Sequence, residues 1–187
     1  LFLRFEGNLT IHSHLRMTGS WGTYARGDRW RRSPRRAWLV LRRDGSEVVQ
    51  FDGPVLELMT ESRTRFDARL AALGPDILAP QLDEARFLTR LREDDPTRGI
   101  GDALLDQRNL AGIGNMYMAE LCFTSGVHPG TAVCAVKDLP RLVNRARLML
   151  EANKERAIQS TTGDLRPRER TWVYRRDKSP CRRCGTP

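Results

Sequence analysis

The stretch LLDQRNLAGIGNMYMAEL, residues 104–121, decides the fold of this chain of 187 residues. It predicts two helices joined by a turn that contains Gly112 and Gly114, with Asn115 at the start of the second helix. Glycines let the backbone approach a ligand closely, and the amides of a helix N-terminus together with the Asn115 side chain suit an anion such as a phosphate. The alternative is an ordinary helix–turn–helix connection capped by Asn115.

Further helices are predicted on both sides of this stretch, over residues 62–160. The strongest signals are a helix capped by Asp83, a segment from Ile100 to Gln107, a helix from Asn115 to Ser125, and a long amphipathic helix that begins near Asp138. One more helix, ended by Gly74-Pro75, is indicated by the spacing of Phe66, Leu70 and Leu73.

Residues 1–60 are predicted to form β-structure. The strand-like segments are LFLRF, LTIHSH, RAWLVLRR, EVVQF and VLELM, and Asp44-Gly45 is a strong hairpin signal. The arginine-rich segment between Trp21 and Arg36 is predicted to be a loop, either solvated or contacting a nucleic-acid backbone. After residue 160 a polar link leads to a predicted strand, TWVYRR, at residues 171–176.

The charge of the chain indicates a polyanionic partner. Lys and Arg total 32 against 23 Asp and Glu, which gives a formal net charge of +9. Nearly all of the cations are arginines, which favour bidentate phosphate contacts. Composition alone leaves nucleic acid, an anionic membrane surface and simple solubility open, and no apolar run is long enough to span a bilayer.

The segment SHLRMTG, residues 13–19, ends a predicted strand and carries Arg16 and Met17. A methionine at a turn can act as an apolar wedge that fills the gap left by a flipped nucleotide. The alternative is a strand whose Met17 packs in the core. His12 and His14 have no metal-ligating companion in the sequence, and both are interpreted as structural.

The four cysteines fall into two groups. Cys122 and Cys134 lie in apolar surroundings and are predicted to be small core residues. Cys181 and Cys184 form C-R-R-C, the first half of a zinc-ribbon pattern, although a structural zinc needs four ligands. A redox-active pair is the competing interpretation, but no βαβ pattern surrounds these residues.

Four stretches together resemble the formamidopyrimidine-DNA glycosylase and endonuclease VIII family: SHLRMTGSW, ALGPDIL, LLDQRNLAGIGNMYMAELCFTSGVHPG and TWVYRRDKSPCRRCGTP. The resemblance implies an α+β multidomain fold. Residues 1–60 would be a partial β-sandwich lobe, and residues 61–168 a helix–two-turn–helix DNA-binding domain. Residues 169–187 would be an incomplete C-terminal zinc finger, the start of a zinc-ribbon hairpin.

The resemblance also implies roles for individual residues. Asn115, with Gly112 and Gly114, corresponds to the family's phosphate grip, and Arg16 and Met17 fall in the loop that fills the void around a flipped lesion. Cys181 and Cys184 correspond to two ligands of a structural zinc. The implied partner is damaged double-stranded DNA, with no membrane partner, for a monomeric bacterial protein of the cytoplasm and nucleoid.

The implied activity is that of a base-excision-repair DNA glycosylase with AP-lyase activity. The family's nucleophilic N-terminal proline, its neighbouring glutamate and a lysine would precede Leu1, so we expect a chain truncated at both ends, with no catalytic residue of its own and no activity. FDGPVLELM, residues 51–59, favours the endonuclease VIII branch, which prefers oxidised pyrimidines. The alternatives are a non-catalytic remnant that binds damaged DNA and, less favoured, a basic RNA-associated protein.

Overall fold

The computed structural model describes residues 1–16, 18–156 and 158–186. The chain divides into two compact units, Leu1–Ala71 and Ala72–Pro187. The fold is α+β, because all six strands lie in the first unit and the longer helices lie in the second. Within the described residues, no helix combines the length and apolar character that a membrane crossing requires.

The first unit contains two antiparallel sheets of three strands each. The strands are β1 (Phe2–Phe5), β2 (Leu9–His14), β3 (Ser20–Ala25), β4 (Ala37–Arg43), β5 (Ser46–Phe51) and β6 (Val55–Thr60). Their order is β1-β2-β6 in one sheet and β3-β5-β4 in the other. Gln50 links the sheets, because its Nε2 donates to Ser13 Oγ over 2.7 Å within the core of the unit.

The strands predicted within residues 1–60 and the β4–β5 hairpin are confirmed. Asp44 and Gly45 have φ values of 42° and 79°, and two successive positive φ angles are typical of a type I′ turn. The predicted loop after Trp21 is wrong in its first part, since Ser20–Ala25 is strand β3 and pairs along the whole of β5. Aromatic packing explains the difference, because the rings of Tyr24 and Phe51 lie 6.4 Å apart, edge to face.

The first unit ends in two short helices, α1 (Glu61–Phe66) and α2 (Ala68–Ala71). The single helix predicted here is wrong. Asp67 interrupts it, since its backbone is extended and its side chain accepts the N–H of Arg69 over 2.9 Å. Phe66 is 77% exposed, so the apolar spacing does not mark a buried face.

The second unit is helical. Its helices are α3 (Glu84–Asp94), α4 (Ile100–Leu105), α5 (Asn115–Ser125) and α6 (Leu139–Glu151). Asp83 caps α3 as predicted, and α6 begins after Asp138 as predicted, with Asp138 as its cap; each carboxylate accepts a backbone N–H over 2.9 Å. Gly126 ends α5 in the left-handed conformation. The helix predicted over Ile100–Gln107 ends at Leu105. The amphipathic character predicted for α6 is confirmed, because one face of it is core, with Leu139, Leu142, Val143, Ala146 and Leu150 buried.

Two predictions for the second unit are wrong. Residues 171–176 form turns rather than a strand. A buried glutamate of α5 accepts three of the backbone N–H groups in this segment, so they are not available for a strand ladder. Cys122 is buried as predicted, but Cys134 is exposed, because the short 3₁₀ helix Val133–Ala135 buries Val133 instead.

Candidate nucleic-acid interface

The turn between α4 and α5 is held in shape by one side chain, that of Gln107. Its Nε2 donates to Ile113 O over 2.8 Å, and its Oε1 accepts the N–H of Gly112 over 2.9 Å. Gly112 has a φ of 115°, and a Cβ there would lie 2.8 Å from Ile77 Cγ2. The shape of the turn therefore requires glycine at position 112.

The segment Gly74–Ile77 supports the other side of this turn. The N–H of Gly74 donates to Gln107 O over 2.8 Å, and Ala111 exchanges backbone hydrogen bonds with this segment, donating to Pro75 O over 2.9 Å and accepting from Ile77 over 3.0 Å. The motif ALGPDIL therefore belongs to the same structural element as the turn, although about thirty residues separate the two in sequence.

The N-terminus of α5 is open. Gly114 is the N-cap residue, it makes no side-chain cap, and a Cβ on it would meet nothing within 4 Å. Asn115 is exposed, and its side chain makes no hydrogen bond to the described residues. The capping alternative for Asn115 is therefore wrong. The first amides of α5 and the Asn115 carboxamide are available to an anion.

Asp106, which follows α4, binds Arg108, the arginine of the turn between α4 and α5. Arg108 Nη2 donates to Asp106 Oδ2 over 2.5 Å, and Arg98 Nη1 donates to the same oxygen over 3.1 Å. These hydrogen bonds, with that of Arg108 the strongest cause, hold the pKa of Asp106 well below its ordinary value. The carboxylate therefore remains charged and fixes Arg108 beside the turn.

A cavity of about 620 Å³ begins at Met116, one residue after Asn115. The remainder of its wall comes from the segment after α6 and includes the cations Arg168, Arg170, Arg175, Arg176 and Lys178. The guanidinium of Arg175 lies 5.5 Å from the centre of the Tyr174 ring, which also lines the cavity. The open end of α5 is thus bordered by a cationic cavity with an aromatic wall.

Glu120 attaches this segment to α5. The side chain is fully buried; Oε1 accepts the N–H groups of Val173 and Tyr174, each over 2.8 Å, and Oε2 accepts the N–H of Trp172 over 2.7 Å and the hydroxyl of Thr161. A buried carboxylate without a cation is stable only when it accepts several hydrogen bonds, as it does here. Glu120 therefore positions the cavity wall against the helix.

Cys181 and Cys184 lie in a turn that is fixed to α5. Arg183, between them, donates from Nη2 to Phe123 O over 2.9 Å and stacks on the Phe123 ring at 4.4 Å. The Arg183 N–H also donates to Cys181 Sγ over 3.4 Å, and a hydrogen bond with the Thr186 hydroxyl lowers the pKa of Cys184. These features suit two thiolate ligands of zinc. Within the part of the chain that the structure describes, no three potential metal ligands come together.

In the first unit, Arg16 lies in the loop after β2. Its φ of 47° is in the left-handed region, and its N–H donates to His14 Nδ1 over 3.1 Å. Met17 lies outside the described residues, so its predicted role stays untested. His12 is structural as predicted, because it stacks on Phe2 at 4.7 Å and pairs with Glu57 at 3.1 Å. That pairing, with the His12 hydrogen bond as the largest cause, lowers the pKa of Glu57.

The turn between β5 and β6 is short and contacts the loop after β2 that contains Arg16. Thr18 Oγ1 donates to Asp52 O over 3.2 Å, and the Asp52 carboxylate accepts from Arg32 over 2.7 Å and from Arg36 Nε over 2.9 Å. The hydrogen bond from Arg36 is the main reason why the pKa of Asp52 is lowered. Arg32 and Arg36 are therefore engaged in structure, whereas Arg16 makes no ion pair within the described ranges.

Comparison with known proteins identifies the family. Residues 73–162 match the formamidopyrimidine-DNA glycosylase H2TH domain. The chain is 46% identical to "Probable endonuclease 8 2" of Streptomyces coelicolor, over 100% of this chain and 67% of that protein. It is 48% identical to "Endonuclease 8 2" of Mycobacterium tuberculosis, over 100% of this chain and 72% of that protein.

The chain belongs to the formamidopyrimidine-DNA glycosylase and endonuclease VIII family. The fold agrees, since a Lactococcus lactis formamidopyrimidine-DNA glycosylase crystallised with DNA containing an AP site matches with a TM-score of 0.75 at 21% identity. That comparison covers 98% of this chain and 69% of the other. In this member of the family, the H2TH match contains the turn, the open end of α5 and Glu120.

The structure brings together Gly112, Gly114 and Asn115, as the sequence predicts, and separately places Cys181 and Cys184 in one turn. Sequence reasoning missed Gln107 and Glu120. A carboxylate within the apolar run MYMAELCF, residues 116–123, is the signal that indicates a buried, hydrogen-bonded glutamate. The role of Gln107 has no comparable signal, because a glutamine in a polar turn is ordinary.

Proposed function

We propose that this chain binds damaged double-stranded DNA as part of a base-excision-repair DNA glycosylase with AP-lyase activity on oxidised bases. The observation that carries the proposal is the open N-terminus of α5 with the unpaired Asn115 carboxamide beside it. A relative from Mycolicibacterium smegmatis that is 43% identical over 100% of this chain is named a DNA-(apurinic or apyrimidinic site) lyase.

The ligand at this helix end is a DNA backbone phosphate. The first amides of α5 and the Asn115 amide donate to its oxygens, while Gly112 shapes the turn and Gly114 leaves the space that the phosphate needs. Such a contact sets the register of the protein on the duplex and carries no sequence information. Sequence independence is what a lesion-searching enzyme requires.

The cavity beside Met116 is proposed to receive the extruded nucleotide. Its volume of about 620 Å³ suits a nucleotide, its arginines suit the flanking phosphates, and Tyr174 offers a surface for the base. In the first unit, Arg16 and Met17 are proposed to fill the gap in the duplex. The short connection of residues 52–54 between β5 and β6 supports the endonuclease VIII branch, and with it oxidised pyrimidines.

The finer organisation is part of the proposal. Residues 1–60 are assigned to a β-sandwich lobe, residues 61–168 to the helix–two-turn–helix domain, and residues 169–187 to the start of a zinc-ribbon hairpin. Cys181 and Cys184 would hold a structural zinc, which stabilises such hairpins when bound, and they supply two of its four ligands. The protein is proposed to be monomeric and to work in the bacterial cytoplasm and nucleoid.

We assign no catalytic group within residues 1–187. In amine-dependent glycosylases the amine attacks C1′ of the sugar and displaces the base, or at an abasic site loses water with the C1′ oxygen, to give a Schiff base that borohydride reduces to a stable amine adduct. This chain is expected to bind a duplex with one abasic site and to give no adduct. A stable adduct with residues 1–187 alone would show that they contain the nucleophile.

The phosphate grip is tested by replacing Asn115 with alanine. Loss of hydrogen bonds to a charged oxygen is expected to weaken binding of an abasic duplex about tenfold, or about 1.4 kcal/mol. The dependence on salt should not change, because no cation is removed. Asn144→Ala is the matched control, since Asn144 is exposed on α6.

Equal affinity of the Asn115→Ala and Asn144→Ala variants would overturn the assignment of the phosphate site. Competition by double-stranded RNA as strong as that by damaged DNA would instead favour an RNA-associated protein. A duplex containing an oxidised pyrimidine should bind more tightly than one containing an oxidised purine if the branch assignment is right.

A further inference from the structure

A second cavity, of about 550 Å³, lies at the opposite end of α5 from Asn115. It is bounded by the last residues of α5, by the connection to α6, and by the first half of α6. Because α5 has 11 residues, the two helix ends lie about 15 Å apart along the axis. The cavity is therefore separate from the proposed phosphate grip.

One wall of this cavity carries three cations, Lys137 just before the N-cap of α6 and Arg141 and Arg145 one turn apart on α6. Arg145 is fixed, because its Nη1 donates to Thr124 O over 2.5 Å at the end of α5. Lys137 and Arg141 are exposed and make no ion pair with any described residue. The acid in the wall, Asp138, caps α6 by accepting the N–H of Arg141 over 2.9 Å, and with its charge included the wall remains cationic, three positive side chains against one negative.

The rest of the wall is apolar or carries hydroxyl groups. Val127 and Val136 are half-buried and Leu142 is buried. Ser125 Oγ is buried and has no hydrogen-bond partner among the described residues. His128 Nδ1 accepts the N–H of Gly130 over 3.0 Å, which leaves its Nε2 as a proton donor. Cations, an apolar surface and spare donors thus meet in one cavity.

We infer that this cavity binds a phosphate-bearing ligand of nucleotide size. Lys137 and Arg141 are four residues apart and both lack an ion-pair partner among the described residues, so a diphosphate can contact both, whereas a single carboxylate side chain neutralises only one of them. The apolar wall offers a surface for the base, and the cavity volume lies within the range of small-ligand sites. The ligand class is therefore a nucleoside diphosphate or triphosphate rather than an acidic peptide.

Calorimetry with ADP on the chain of residues 1–187 tests this inference. The Lys137→Ala/Arg141→Ala double variant is expected to weaken ADP binding about tenfold or more. Arg86→Ala/Arg92→Ala is the matched control, because it removes the same charge from exposed positions on α3. The cavity variant should bind an abasic duplex like the unchanged protein, and ADP should not displace that duplex.

Three results would overturn the inference. One is the absence of ADP binding, and another is equal loss of ADP binding in the cavity variant and the α3 variant. The third is loss of ADP binding in Asn115→Ala with displacement of the duplex, which would place the anion at the phosphate grip. Inorganic pyrophosphate and a DNA strand with a 5′-phosphate serve as further probes. If pyrophosphate bound as tightly as ADP does, the role of the apolar wall would be refuted.

Discussion

Replacement of Glu120 by alanine should detach the segment after α6 from α5. The substitution leaves the N–H groups of Trp172, Val173 and Tyr174 without their acceptor. An unsatisfied buried donor costs about 1–3 kcal/mol. Relief of the desolvation of the carboxylate and entry of water offset part of this cost. We therefore expect a net loss of about 3 kcal/mol in the free energy of unfolding.

Amide hydrogen exchange, combined with unfolding in denaturant, is the assay that locates this effect. Relative to the unchanged protein, Glu120→Ala should increase the exchange rate of the amides of residues 172–174 more than that of the amides in the core of α6. Glu120→Gln keeps the volume and one acceptor oxygen, so it should cost less, about 2 kcal/mol. Glu93→Ala, at an exposed position on α3, should change stability by about 0.5 kcal/mol or less.

The reasoning would be refuted if the amides of residues 172–174 kept their protection in Glu120→Ala. A loss of stability spread evenly over the second unit, without faster local exchange, would mean that Glu120 acts through packing in the core. A cost of Glu120→Gln as large as that of Glu120→Ala would show that the negative charge, rather than the number of acceptors, holds the segment.

Three further perturbations test other parts of the molecule. Gly112→Ala should destabilise the chain by about 2–3 kcal/mol in denaturant unfolding, because position 112 has a positive φ and the new Cβ would contact Ile77. Gly114→Ala should leave stability nearly unchanged, since a Cβ there meets no atom within 4 Å, and it should weaken duplex binding in a gel shift. Neighbouring arginines lower the pKa values of Asp67 and Asp164 to about 2. The ion pairs therefore stabilise the fold fully above the ordinary pKa of 3.8, and this stabilisation is lost as the pH falls through about 2. The melting temperature should drop over this range, and a constant melting temperature would contradict the ion pairs. Two thiolates bind zinc more weakly than a complete set of four ligands. Replacing either cysteine of the C-R-R-C turn with serine should therefore remove a weak zinc uptake in a chelator titration, while Cys134→Ser should not; equal zinc uptake by both would refute the assignment.

The sequence predicted those elements whose signals are local. The Asp83 cap of α3, the start of α6 near Asp138, the end of α5 at Ser125 and the Asp44-Gly45 hairpin each depend on a few neighbouring residues, and each is confirmed. The open helix end at Asn115 was also predictable, because glycine spacing and the start of a helix are visible in one short stretch.

Two of the wrong predictions concern segments whose structure depends on distant partners. Strand β3 forms because β5 is available for pairing and because Tyr24 packs on Phe51. TWVYRR has the composition of a strand, but Glu120, more than fifty residues earlier, takes up its backbone donors. The break at Asp67 replaces a helical hydrogen bond with a side-chain one, a local competition that apolar spacing does not register.

The attachment through Glu120 has a consequence for how lesion preference can change. Three of its four donors are main-chain N–H groups, and these are present whatever side chains occupy positions 172–174. Substitutions at Tyr174, which faces the cavity, can therefore reshape the wall without loosening it. If the cavity receives a base as proposed, selection, natural or in the laboratory, is free to vary the residues of its wall while the single acidic position on the helix stays constant.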